Sequence, residues 1–200
     1  RVTARAASDR EADEMMKPVI NEVRNVIGDF IYGVDTGSLE ETVLDMLRQR
    51  GLTLSTAESC TGGLVSKRLT DIPGASEVFL GGAVTYSNSA KEHILGVDPG
   101  LLAEKGAVSP EVAMAMARGA RQRFGTDIAI SLTGIAGPGS DSSGQPVGLV
   151  YIGFSDKDGE DFRKVFCGSP RQRCRTMAAN YALDSVRRKL SGLKMEDRFM

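Results

Sequence analysis

The chain contains no tryptophan, a single histidine and three cysteines. With only 7 Phe and 4 Tyr in 200 residues, it has little material for aromatic platforms on which nucleic-acid bases stack. A net charge of -1 argues further against a protein whose main task is gripping nucleic acid. Cys60, Cys167 and Cys174 are odd in number and show no Cys-x-x-Cys spacing. Neither a disulfide framework nor a zinc site is therefore expected, and a reducing cytoplasm fits best. The apolar runs fall well short of a membrane span and the N-terminus has no signal-peptide pattern, so no membrane partner is expected. The first residue is Arg1 rather than Met, as in a piece of a longer protein or a processed chain. His93 sits in the helical-looking stretch Lys91 to Leu95, which argues against a Ser-His-Asp triad in this sequence.

What is present is an ordinary globular composition, 41% hydrophobic and 26% charged, sufficient for one good core with a small appendage. Val2 to Ala6 alternates like a short strand, and Ser8 with Glu11 forms a capping box for a helix to about Ile27, ended by Gly28. Residues 1–36 are read as a remnant or linker, because one strand and one helix cannot bury both faces. The main domain is expected over 37–192, with 193–200 as a tail. Ser38 and Glu41 form a second capping box, opening a helix to Gly51 whose inner stripe is Leu39, Val43, Leu44 and Leu47. Strands are expected at Leu52 to Ala57, Ala83 to Tyr86 and Asp127 to Leu132, and a hairpin at Val147 to Phe154 and Phe162 to Phe166. Helices are expected at Leu64 to Leu69, from Ser109 and Pro110 to Phe124, and from a Ser169–Pro170 cap to about Leu190. Mixed strands alternating with helices imply an α/β fold with an antiparallel component in the sheet.

Chemistry concentrates where the first of these strands hands over to a helix. Thr56 to Gly63 reads TAESCTGG, which sets a carboxylate, two hydroxyls and a thiol at Glu58, Ser59, Thr61 and Cys60 in consecutive positions. Gly62 and Gly63 let backbone amides approach a ligand. Ser59 needs a base, and with histidine scarce the alternative is lysine. Lys91 follows the strand holding Tyr86, and reaches the same sheet edge if the two strands are neighbours. A lysine with a reference pKa near 10.4 holds its proton at pH 7 by about 3.4 units, roughly 4.6 kcal/mol; burial or a cationic substrate has to lower it. Tyr86 is either a proton relay or a packing residue, and Cys60 either a rival nucleophile or core. A second glycine-rich turn, TGIAGPG from Thr133 to Gly139, follows another strand and offers donors to an anion. Ser169, Arg171 and Arg173 at the start of the last helix add to that character.

Taken together, AESCTGG at Ala57 to Gly63, TYSNSAKEHILGV at Thr85 to Val97, GAVS at Gly106 to Ser109, TGIAGPG at Thr133 to Gly139 and PVG at Pro146 to Gly148 closely resemble the CinA carboxyl-terminal domain family. The resemblance covers about residues 38 to 190 in the family's order, with residues 1–36 resembling the region that precedes this domain in full-length CinA-type proteins. It implies a three-layer α/β/α sandwich with a mixed sheet, and deamidation of nicotinamide mononucleotide (NMN) to nicotinic acid mononucleotide and ammonia without a cofactor. It further implies Ser59 as nucleophile and Lys91 and Tyr86 as its activating partners. Substrate contacts are implied from Glu58, Thr61, Gly62, Gly63, Ser109, Thr133, Gly134, Ile135, Ala136, Gly137 and Arg171, with the amides around Thr61 to Gly63 holding the oxyanion. The loop from Ser140 to Gln145 is expected to tune access, and the small domain with its apolar last helix to form a homodimer. Two other activities fit the same residues: a nucleotide-binding module without turnover, tied to competence or DNA damage, and a metal-dependent nucleotide hydrolase. The second of these needs a cluster of His and Asp that the loops do not supply.

Overall fold

The computed structural model describes residues 2–139 and 144–195. Two compact units divide the chain, Arg1–Thr36 and Gly37–Met200. In the first, α1 (Asp9–Ile27) starts at Ser8, whose hydroxyl accepts from Glu11 N. The return bond from the Glu11 carboxylate goes to Ala7 N at 3.1 Å, one residue before the position a capping box requires. None of the α1 side chains is buried. A 3-10 turn follows at Gly28–Phe30. The strand expected at Val2 to Ala6 does not form; the segment is irregular, as an alternating run is when no neighbouring strand supplies its ladder.

In the second unit, α2 (Leu39–Arg50) carries the complete Ser38–Glu41 capping box and ends at Gly51 in the left-handed conformation. Its stripe Val43, Leu44 and Leu47 is fully buried, and each such aliphatic side chain contributes about 1.5–3 kcal/mol through burial. There follow β1 (Leu54–Glu58), α3 (Leu64–Thr70), β2 (Phe79–Val84), α4 (Asn88–Leu95), α5 (Pro99–Lys105) and α6 (Pro110–Phe124). The chain then runs through β3 (Ile128–Gly134), β4 (Leu149–Asp156), β5 (Gly159–Phe166) and α7 (Arg171–Leu190). Ser109 caps α6 as expected, its hydroxyl accepting from Val112 N. Ser169 does not cap α7: the N-cap is Pro170 and no side chain bonds to the first turn. Among the described residues no helix is long and apolar enough to cross a membrane.

The five strands lie in the order β2-β1-β3-β4-β5. β1 runs parallel to both β2 and β3, whereas β4 and β5 are antiparallel additions. One face carries α2, α3 and α7 over a core of Val43, Leu47, Leu54, Ile130, Ile152 and Leu183. The other carries α4, α5 and α6 over Ala57, Leu95, Val112, Met116 and Ala129. The result is a three-layer α/β/α sandwich. Strand β1 exits into α3 on the first face and its neighbour β2 exits into α4 on the second. Their carboxyl ends therefore form a topological switch point, where an open α/β sheet leaves a crevice.

Candidate active site

Strand alternation sorts the residues at this crevice. Thr56 and Glu58 face α3, as shown by Thr56 Oγ1 at 2.7 Å from Ser66 Oγ and by the contacts of Glu58 to the same helix. Ala57 faces the opposite layer, and Ser59 continues that parity. Glu58 is fully buried and both its oxygens are occupied. Oε2 accepts from Val65 N at 3.0 Å, and Oε1 from Ser66 N at 2.8 Å and Ser66 Oγ at 2.7 Å. It satisfies the first turn of α3, whose amides have no partner within the helix. Glu58 thus has a scaffold role, its carboxylate bonded to α3 through both oxygens.

Ser59 meets Lys91 across the switch point. Lys91 Nζ lies 3.2 Å from Ser59 Oγ and donates to Thr85 O at 2.9 Å. The residue is 1% exposed, and both of these partners are uncharged oxygens. Burial disfavours the ammonium and pushes the lysine below its ordinary value, with Cys60 acting in the other direction. Burial, one of the two causes offered above for lowering this lysine, is therefore present in the fold. Lys91 reaches the nucleophile because β2 is hydrogen-bonded to β1, Thr85 N donating to Glu58 O at 2.8 Å, and because Ser87 caps α4 immediately before it. Cys60 is 6% exposed and its thiol is pushed up to about 12, chiefly by burial, so it is a packing residue and not a thiolate nucleophile. Cys167 and Cys174 are likewise buried free thiols.

Tyr86 is not brought to Lys91. It is 62% exposed and its hydroxyl accepts from Arg171 Nη2 at 3.0 Å, on the α7 side of the sheet. Its neighbour Thr85 is fully buried, as the two-residue period of an extended chain requires. Arg171 also donates from Nη1 to Gly137 O at 2.9 Å, which ties Tyr86 and the second glycine-rich turn to the start of α7. In that turn Thr133 Oγ1 donates to Ala107 O at 2.6 Å, Ile135 N to Leu149 O at 2.9 Å and Gly148 N to Ile135 O at 2.7 Å. A Cβ on Gly134 would stand 2.5 Å from Leu149 O. Ile135 and Ala136 are buried in the core, and Ser109 Oγ donates to Gly106 O at 3.0 Å. These five positions are therefore structural in their visible bonds. Of the expected oxyanion amides, Gly62 N donates to Ser59 O at 3.1 Å and closes the turn. Gly62 and Gly63 hold positive φ of 61° and 91°, which the turn requires and which glycine alone adopts without strain. Residues 140–143 of the expected access loop lie outside the described residues.

Three residues escaped the sequence reading. Arg175 on α7 donates from Nη2 to Thr61 O at 2.6 Å and braces the nucleophile turn. Ser66 completes the Glu58 clamp. Thr85 supplies the carbonyl that holds Lys91. The parity of Thr85 and Tyr86 was the signal that pointed to the last. Among the described residues no three His, Cys, Asp or Glu side chains gather as metal ligands.

A family model for the CinA C-terminal domain matches residues 36–190. A CinA-like protein of Desulfovibrio desulfuricans is 46% identical over 98% of this chain and 47% of its own length. The chain thus spans about half the length of the curated relatives it matches. A solved structure of the competence/damage inducible protein CihA from Agrobacterium tumefaciens has a TM-score of 0.72 at 38% identity, covering 80% of this chain and 99% of that one. A competence-damaged protein (CinA) superfamily protein from Klebsiella pneumoniae has a TM-score of 0.75 at 30% identity, covering 77% and 96%. With the family model spanning most of the chain and these relatives agreeing in sequence and fold, the chain belongs to the CinA C-terminal domain family.

Proposed function

We propose that this domain is an amidohydrolase that deamidates nicotinamide mononucleotide to nicotinic acid mononucleotide and ammonia. The observation that carries the reading is the buried Lys91 amine, depressed by desolvation and 3.2 Å from Ser59 Oγ. A neutral amine there takes the serine proton as Oγ attacks the carboxamide carbon. The resulting ammonium returns the proton to the leaving nitrogen as the C–N bond breaks, releasing ammonia and leaving an acyl-serine. Water, deprotonated by the same amine, then opens the ester. The oxyanion is assigned to the amides of Thr61 and Gly63, since Gly62 is committed to the turn. Arg171, with Gly137 and Tyr86, is assigned to the entrance, where a guanidinium suits the nucleotide phosphate.

The test is ammonia release from NMN without added metal. Wild-type protein is expected to release it, and Ser59→Ala to lose about a thousandfold or more in kcat, as removal of an activated nucleophile does. Binding of NMN without release would instead make the domain a nucleotide-binding module.

A further inference from the structure

Two hydroxyls close to the Ser59–Lys91 pair in sequence, Thr61 Oγ1 and Thr85 Oγ1, are buried without a hydrogen-bond partner. A buried hydroxyl left unpaired is destabilising, so a fold that keeps one calls for an account of it. Thr85 gives the more specific one. Its carbonyl already holds Lys91 Nζ. Its side chain has the parity of Ala83, which packs with the α4–α6 layer, and so it lies on the face of the sheet from which Lys91 comes. Tyr86, the hydroxyl expected there from the sequence, points to the other face and is bound by Arg171.

The demand for a further acceptor follows from proton counting. As a neutral amine, Lys91 accepts from Ser59 and donates to Thr85 O. Once it has taken the serine proton it carries three N–H donors, and the acylated Ser59 Oγ is a weaker acceptor than before. We propose that Thr85 Oγ1 accepts the third N–H of the Lys91 ammonium during acylation, which makes Thr85 a positioning residue for the base. The inference rests on the Ser59–Lys91 chemistry proposed above.

Few other charges compete for this role. Cys60, on the turn after β1, is a neutral thiol, and Glu58 is clamped to α3. On α4 itself His93 is exposed and Glu92 half-buried. The residues that α6 adds to the shared core, Val112, Ala115, Met116 and Ala120, are apolar.

The experiment measures two quantities against pH: labelling of Ser59 by a fluorophosphonate, which reports its activation whatever the natural substrate, and ammonia release from NMN. In Thr85→Val, labelling and kcat are expected to fall about tenfold, the worth of one hydrogen bond to a charged group. KM is expected to hold. The acid limb of the labelling profile is expected to move to lower pH, because the ammonium has lost an acceptor. Thr85→Ser is expected to restore rate and limb, and Thr85→Ala to reproduce the loss should the valine fail to fold. The melting temperature of Thr85→Val is expected to stay level or rise, since an unpaired buried hydroxyl has been removed. Wild-type rates and an unmoved acid limb in both Thr85→Val and Thr85→Ala would overturn the inference while leaving the amidohydrolase reading intact. Labelling without ammonia release would overturn the choice of NMN and leave the Thr85 inference testable on the label. A wild-type Ser59 that takes no label overturns both.

Discussion

The turns after β1 and β3 look alike in sequence and differ in what they leave to do. Both are glycine-rich, both follow a parallel strand, and the two strands are hydrogen-bonded neighbours. In the second, the Thr133 hydroxyl and the Ile135 amide are consumed by the fold, and Gly134 is small because Leu149 O presses against it. In the first, Glu58, Gly62 and Arg175 do the holding and leave Ser59 beside a desolvated amine. Glycine marks a demand of the backbone in both cases, positive φ in the first turn and close approach in the second. The chemistry is marked by a reactive side chain whose neighbours carry the structural bonds for it.

The largest expected effect that sharpens this contrast is at Lys91. Lys91→Met is expected to lower kcat by about 10²–10⁴, the range for loss of a general base, and at the same time to raise the melting temperature near neutral pH. The sign follows from linkage. With the folded value lowered beneath the ordinary 10.5, the unfolded chain binds more protons between the two values, so wild-type stability climbs with pH through that window. Below it the desolvation cost is fully present, and methionine removes it. The gain in melting temperature is therefore expected to shrink as pH approaches 10.5. A Lys91→Met protein less stable than wild type at neutral pH would place a favourable charge interaction at this lysine.

Next is Gly134→Ala, in the turn read as structural. A Cβ 2.5 Å from Leu149 O is expected to cost about 1–3 kcal/mol of stability through overpacking, measured by urea denaturation, with kcat per folded molecule unchanged. A large fall in kcat at intact stability would break the comparison. The smallest effect is expected at Tyr86→Phe: under about threefold in kcat, well below the hundredfold or more that a proton-transferring group contributes. A hundredfold loss would return Tyr86 to the proton path.

Much of this architecture was legible in the chain. The Ser38–Glu41 box and the Ser109–Pro110 start identify α2 and α6 because capping is local chemistry, and the observed helices begin there. Strand β2 was misplaced by several residues: it runs Phe79–Val84, and Gly81 and Gly82 dilute the β-branched pattern by which a strand is recognised. The pairing of Tyr86 with the base rests on the resemblance, whereas the alternation of Thr85 and Tyr86, which holds wherever the strand is bounded, points to Thr85. The role of Arg175 was not legible, since it depends on a helix 114 residues further along that tertiary packing brings alongside, and that of Glu58 was missed although α3 is the next element in the chain. Ser59 and Lys91 were legible as a pair only on the condition that β1 and β2 are neighbours, which the sheet order meets.

That order also sets where the domain is most easily disabled. β1 is held on both sides, but β2 is the outermost strand, so nucleophile and base stand on opposite banks of the last seam in the sheet. Local opening of an edge takes less free energy than global unfolding. Parting β2 from β1 draws the Thr85 carbonyl, which holds Lys91 Nζ, away from the nucleophile turn while β3, β4 and β5 stay paired. The exchange of the Thr85 amide, bonded across that seam to Glu58 O, is expected to gauge how often this margin opens.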